Sequence, residues 1–148
     1  MIIFILGLPS SGKTTLGSKL KNLIENLSIY EYDNLEGCED EKLGYLTRNV
    51  LDDLNNNIIP VVISTVGNLD TKILYSIFQE DMAILIKLTN DNDTKINTRI
   101  CEIYPDDPKS MFDLYMHLYG DIEADIIFNP FDDIDILLEK IDANKNMS

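Results

Sequence analysis

Residues 7–14 read Gly7-Leu8-Pro9-Ser10-Ser11-Gly12-Lys13-Thr14, an unbroken G-x-x-x-x-G-K-T that tightly constrains what surrounds it. The pattern needs a buried strand before it and a helix after it. Met1 to Leu6 form an apolar run of strand length, and Leu16, Leu20, Leu23 and Ile24 then recur at helical spacing. Gly7 and Gly12 admit backbone angles and close approaches that a side chain would block. The loop amides and the positive end of the helix dipole then converge on a phosphate-sized anion. Lys13 is placed to reach the β- and γ-phosphates of a nucleoside triphosphate, and the Thr14 hydroxyl to ligate Mg²⁺. Leu8, Pro9, Ser10, Ser11 and Thr15 complete the candidate binding segment.

The rest of the chain alternates in the same way. Ser28 to Tyr32 is a β-prone run ending at Asp33, followed by a polar, acidic stretch from Asn34 to Glu41. Leu43, Leu46, Val50, Leu51 and Leu54 make a helical stripe ending near Asn57, and Ile58 to Ile63 is the next strand. Asp70 is expected to cap a helix carrying Ile73, Leu74, Ile77 and Phe78, ahead of a strand from Met82 to Leu88. A helix with Ile96, Arg99, Ile100 and Ile103 stops before Pro105, and Asp106-Asp107-Pro108 opens another with Met111, Leu114, Tyr115, Leu118 and Tyr119. Asp125 to Phe128 is a last short strand, and Asp132 to Ile141 a closing helix. Five apolar strands alternating with helices predict an α/β fold, a parallel sheet covered on both faces. One domain is expected over residues 1–143, with a polar tail at 144–148 that frays.

Charge and cysteine usage narrow the class. Twenty-six acids against twelve lysines and arginines give a net charge of −14. That balance disfavours nucleic acid and anionic membranes as partners. No apolar run has the length of a spanning helix. Cys38 and Cys101 have neither the spacing of a zinc site nor that of a disulfide framework, so a cytoplasmic setting is expected.

Across nearly its whole length the chain resembles small P-loop kinases, and among them adenylylsulfate (APS) kinase. Ile5 to Leu16 is similar to that family's opening, Tyr32-Asp33-Asn34-Leu35 to its D-G-D-N element, and Leu43-Gly44-Tyr45 with Arg48 to its L-G-F…R helix. Val62 to Val66 is similar to the third strand leading to the acceptor pocket. The resemblance implies a three-layer P-loop fold of strand order 2-3-1-4-5, which right-handed crossovers also demand. It implies ATP and Mg²⁺ as cofactors, a small hydroxyl-bearing metabolite as partner, and a lid around residues 90–108; a homodimer is left open. The chain departs from the family at Glu31, Tyr32 and Glu36 around the second-strand carboxylate, at Leu51, and between Val66 and Asp70, where the family's proline and arginine are missing. These departures admit other nucleotide-linked or sugar-like acceptors, such as cytidine diphosphoramidate. A nucleotide-dependent switch or ATPase is the alternative, but Val61-Val62-Ile63 closes on Ser64-Thr65 and not on the carboxylate such proteins usually carry.

Asp33 is the candidate catalytic group, at the carboxyl end of the second strand, where it would orient or deprotonate the acceptor hydroxyl or hold a water on Mg²⁺. The other reading of Asp33 is a turn or cap residue. Glu31 shares a strand face with it if the strand extends that far. Arg48 is a candidate cation on the acceptor side. Lys95 and Arg99, spaced i, i+4, project from one face of the lid helix, where they would meet the phosphates or remain an exposed basic face. Ser64 and Thr65 either line the acceptor pocket or only end a strand. His117, Tyr115 and Tyr119 read as packing or surface residues. Asp132, Asp133 and Asp135 suit the start of the closing helix.

Overall fold

The computed structural model describes residues 1–66, 69–78, 83–89 and 93–146. Five strands, β1 (Ile2–Gly7), β2 (Leu27–Glu31), β3 (Ile59–Thr65), β4 (Ala83–Leu88) and β5 (Ile126–Phe128), form one sheet of order β2-β3-β1-β4-β5. Every neighbouring pair is parallel. The helices are α1 (Lys13–Leu23), α2 (Glu39–Asn55), α3 (Leu69–Phe78), α4 (Asp93–Ile103), α5 (Pro108–Gly120) and α6 (Ile134–Asn146). The order is the one expected, and β1 is central, paired with β3 from Ile3–Val61 to Gly7–Thr65 and with β4 from Ile2–Ala83 to Leu6–Lys87.

All six residues of β1 are buried, which a strand covered on both faces requires. Strand alternation divides them. Phe4 and Leu6 join Leu46, Val50, Leu74 and Ile96 on the side of α2, α3 and α4, while Ile3 and Ile5 join Leu16, Leu20, Leu137 and Ile141 on the side of α1 and α6. Each fully buried aliphatic side chain contributes roughly 1.5–3 kcal/mol. Among the described strands, the one that carries the phosphate loop is alone in being buried at every residue.

Several boundaries differ from expectation. α2 starts at Glu39, so Glu39, Asp40 and Glu41 form its first turn and not a loop; acids there complement the positive end of the helix dipole. β2 stops at Glu31 and a single 3₁₀ turn, Tyr32–Asn34, follows, so Glu31 and Asp33 do not share a strand face. α3 starts at Leu69, which puts Asp70 in the first turn and not at the cap. α6 runs to Asn146, beyond the expected end at Ile141. Its start is held by Asp133, whose Oδ1 accepts from the Asp135 amide at 3.0 Å. Met82, Gly67, Asn68 and, from the segment expected to form a lid, Asn90, Asp91 and Asn92 lie outside the described residues. Cys38 and Cys101 are free and exposed. Among the described residues no helix is long and apolar enough to cross a membrane.

Candidate active site

The segment between β1 and α1 is shaped by backbone that few residue types accept. Gly12 lies at φ 94° and Ser10 at φ 61°. A Cβ on Gly7 would collide with Ser11 Oγ and crowd Ser11 Cβ and Lys13 Cγ at 3.3 Å, so a side chain there would displace loop side chains. The Ser11 amide donates to the Leu8 carbonyl at 3.1 Å and the Leu16 amide to that of Gly12 at 3.0 Å. Gly12 caps α1 without a side-chain hydrogen bond, which leaves the first helical amides to an anion. Ser11 Oγ is buried with no hydrogen-bond partner, a polar atom in want of a ligand.

Lys13 is buried, and its Nζ donates to the Leu8 carbonyl at 2.9 Å. Burial lowers its pKa from 10.5 to about 8, against the opposing pull of Asp33 and then Glu31. Those two carboxylates act on the lysine through their charge, from the end of β2 and the turn after it, and each is held by a threonine hydroxyl. Thr14 Oγ1 donates to Glu31 Oε1, while Asn34 Nδ2 donates to Glu31 Oε2 at 2.7 Å. Thr65 Oγ1 donates to Asp33 Oδ2 at 2.7 Å. Together with Lys13, Arg99 and Tyr115 these groups line a cleft of about 370 Å³ at the carboxyl end of the sheet. Ligands of open α/β sheets bind at that end.

The candidate cations are distributed unevenly. Arg99 faces this cleft and its Nη1 bonds Glu102 Oε2 at 3.1 Å, both side chains more than half exposed. Lys95 lies one turn earlier on α4 and lines the mouth of the phosphate loop, beside Ser10 to Thr15. Arg48 is exposed on α2 and does not line the cleft. Of the β3 hydroxyls only Thr65 reaches the cleft; Ser64 is fully buried and donates to the Thr65 carbonyl at 3.0 Å. His117 is exposed beside Asp121 at 3.2 Å, away from the site.

Two features were not legible as site features in the sequence, and a third, Glu31, was expected only as a neighbour of Asp33 on one strand face. Tyr115, read as packing, lines the cleft with its hydroxyl 3.1 Å from that of Tyr104. Burial, Tyr104 and Asp33 push its ionisation upward, so it stays a neutral phenol. Glu31 accepts a hydrogen bond from the Thr14 hydroxyl of the phosphate loop. On the other side of the loop a cavity of about 240 Å³ lies between Gly12, Thr15 and Thr89 and the pair Pro130 and Phe131. Phe131 is 84% exposed and Thr89 Oγ1 is buried without a partner. An aromatic face and an unsatisfied hydroxyl beside a phosphate loop suit a nucleobase. The available signal was Phe131 itself, an aromatic residue just past the last strand. A further cavity of about 330 Å³, between α3 and α5 beside Tyr75, is lined by Lys72, Asp121 and Glu123 and by no residue of the phosphate loop.

The residues fit a nucleotide carrying its own Mg²⁺. Among the described residues no three His, Cys, Asp or Glu gather to hold a metal alone. Thr14 and Glu31 supply two oxygens in contact, and Mg²⁺ commonly takes one or two protein oxygens with phosphates and waters.

No family model and no curated protein matches the sequence. Solved structures do match it over nearly the whole chain. Kti12 from Chaetomium thermophilum, in complex with ADP-AlF3, aligns at TM-score 0.62 and 16% identity over 99% of this chain and 98% of its own. Thymidylate kinase from Candida albicans aligns at 0.57 and 15% identity (99% and 93%), and shikimate kinase from Aquifex aeolicus at 0.53 and 19% (99% and 96%). These matches do not single out adenylylsulfate kinase. The chain has the fold of P-loop kinases.

Proposed function

We propose that the protein is an ATP-dependent kinase that transfers the γ-phosphoryl group to a hydroxyl of a small metabolite. The observation that carries this reading is one cleft holding both a phosphate loop and a carboxylate, Asp33, that accepts from Thr65 and faces Lys13. The loop amides and Lys13 would take the phosphates, Thr89, Pro130 and Phe131 the base. Asp33 would take the proton of the acceptor hydroxyl as its oxygen bonds the γ-phosphorus and the bond to the β-phosphate oxygen breaks. Bound Mg²⁺ would neutralise phosphate charge, and here Glu31 is preferred to Asp33 as the carboxylate serving it with Thr14. The Thr14 hydroxyl bonds Glu31, whereas Asp33 is engaged by Thr65.

Lys95 and Arg99 reach opposite sides of the loop from one helix, which suits a lid that closes cations over the phosphates. Arg48 would contribute only through movement of α2. The activity is placed in the cytoplasm, where ATP and reduced thiols coexist. The test is calorimetric titration with Mg–ATP, followed by an ATP-to-ADP assay over hydroxyl metabolites that include adenylylsulfate and cytidine diphosphoramidate. Saturable ATP binding with acceptor-dependent ADP release supports the reading. Absence of ATP binding overturns it.

A further inference from the structure

The cleft does not end at Asp33. Past Asp33 and Thr65 it continues into a groove of about 290 Å³ whose further walls are Val66, Met111, Leu114 and Leu118, with Tyr115 shared between the two. The volume is at the lower end of that of small-molecule sites, enough for a ring with short substituents. Its lining is aliphatic, thioether and phenol, with the Asp33 carboxylate and the Thr65 side chain at the reacting end.

The positions of the cations make this informative. The chain has twelve lysines and arginines, and none falls among residues 67, 68, 79–82, 90–92, 147 or 148. Every cation therefore belongs to a described residue. Lys13 and Arg99 are the ones that line the cleft, and none lines the groove. Lys13 is committed to the phosphate loop, and Arg99 is paired with Glu102 on the lid side. Lys42 lies against the Tyr32 ring, 5.2 Å from its centre, and Lys87 against that of Tyr119 at 4.2 Å. An anionic acceptor would enter a groove without a counter-charge and approach Asp33 and Glu31, in a protein of net charge −14. Recognition of carboxylate, phosphate or sulfate groups ordinarily recruits arginine or lysine.

We propose that the acceptor is an uncharged alcohol with an apolar or aromatic body, seated against Met111, Leu114 and Leu118 with its hydroxyl at Asp33. The proposal depends on the kinase reading and names the acceptor class for it. It separates this chain from kinases whose acceptors carry an acid group.

The test uses matched probes that differ by one ionised group: 1-phenyl-1,2-ethanediol against mandelate, and thymidine against thymidine 5′-monophosphate. Each is titrated into the full-length protein with ADP and Mg²⁺ bound, with the ¹³C-labelled Met111 methyl signal as readout. The neutral member of at least one pair is expected to shift that signal at a concentration at least about tenfold below its anionic partner. In Leu114→Arg, at a position 46% exposed and tolerant of a long polar side chain, the anionic member should gain at least about tenfold on the neutral one. Equal or tighter binding of the anions by the unaltered protein, or no Met111 shift from any probe, overturns the proposal. Failure of ADP to bind in the same samples would instead remove the kinase reading beneath it.

Discussion

The two halves of the cleft are made of different material. The phosphate half is main chain: turn amides, a glycine at φ 94°, a helix N-terminus and one buried lysine. The half proposed for the acceptor is side chain: Asp33 on a 3₁₀ turn, Thr65 at a strand end, and Met111, Leu114 and Tyr115 along α5. Main-chain recognition fixes which residues are permitted at consecutive positions. Side-chain recognition gathers residues far apart in sequence and permits many substitutes. The first half therefore suits a ligand part common to many enzymes, and the second half one that differs among them.

That contrast can be broken, most sharply at Lys13. Lys13→Ala should reduce ATP turnover to background and severely weaken ATP binding, because the loop loses its only buried cation for the phosphates. Unchanged affinity by calorimetry would mean that the phosphate half is not where the triphosphate lies. Next come the two carboxylates. Asp33→Asn should cost about 10²–10⁴-fold in turnover with the acceptor and leave ATP affinity nearly untouched. Glu31→Gln should weaken Mg–ATP binding by about 10–100-fold, with partial rescue at high Mg²⁺. If Asp33→Asn shows the Mg²⁺ rescue and Glu31→Gln does not, the roles are reversed. A lowered melting temperature with normal turnover would make Asp33 a structural turn residue.

The smallest effect concerns pH. Lys13 ionises at about 8 in the free protein, because its buried site disfavours the charged form. ATP requires that charge, so affinity should fall as pH rises through 8, by at most about tenfold per unit. Proton uptake on binding, measured by calorimetry at pH 8.5 in two buffers of different ionisation heat, checks the sign. Stability of the free protein runs the other way. From pH 8 towards 10.5 the unfolded lysine holds its proton while the folded one has released it, so this group's penalty on the fold is relieved as pH rises.

The sequence disclosed these halves unequally. Sheet order and the phosphate loop were legible because burial on both faces of β1 and the glycine positions leave few alternatives. The start of α2 was obscured because Glu39, Asp40 and Glu41 are apolar-poor, and a stripe of leucines marks only where a helix touches the core. Glu31 was undervalued because its role comes from meeting Thr14, seventeen residues away, across a strand crossover. Phe131 gave no periodic signal at all, since a single aromatic in a loop belongs to no pattern. The acceptor groove is written across β3 and α5 and has no local spelling.

The wall proposed for the nucleobase is attached to the sheet quite differently from the loop it faces. β5 has three residues, pairs on one side only, and meets β4 from Ile86–Ile126 to Leu88–Phe128, whereas β1 is paired along both edges. Short edge strands open before central ones. On the proposed reading a bound nucleotide would be anchored at its phosphates and tethered loosely at its base, so the product should let go base first and pivot about the loop as it leaves. Amide hydrogen exchange of the ADP complex measures this directly: Ile126 to Phe128 should exchange well before Ile3 to Leu6, and uniform protection of both would exclude such an exit.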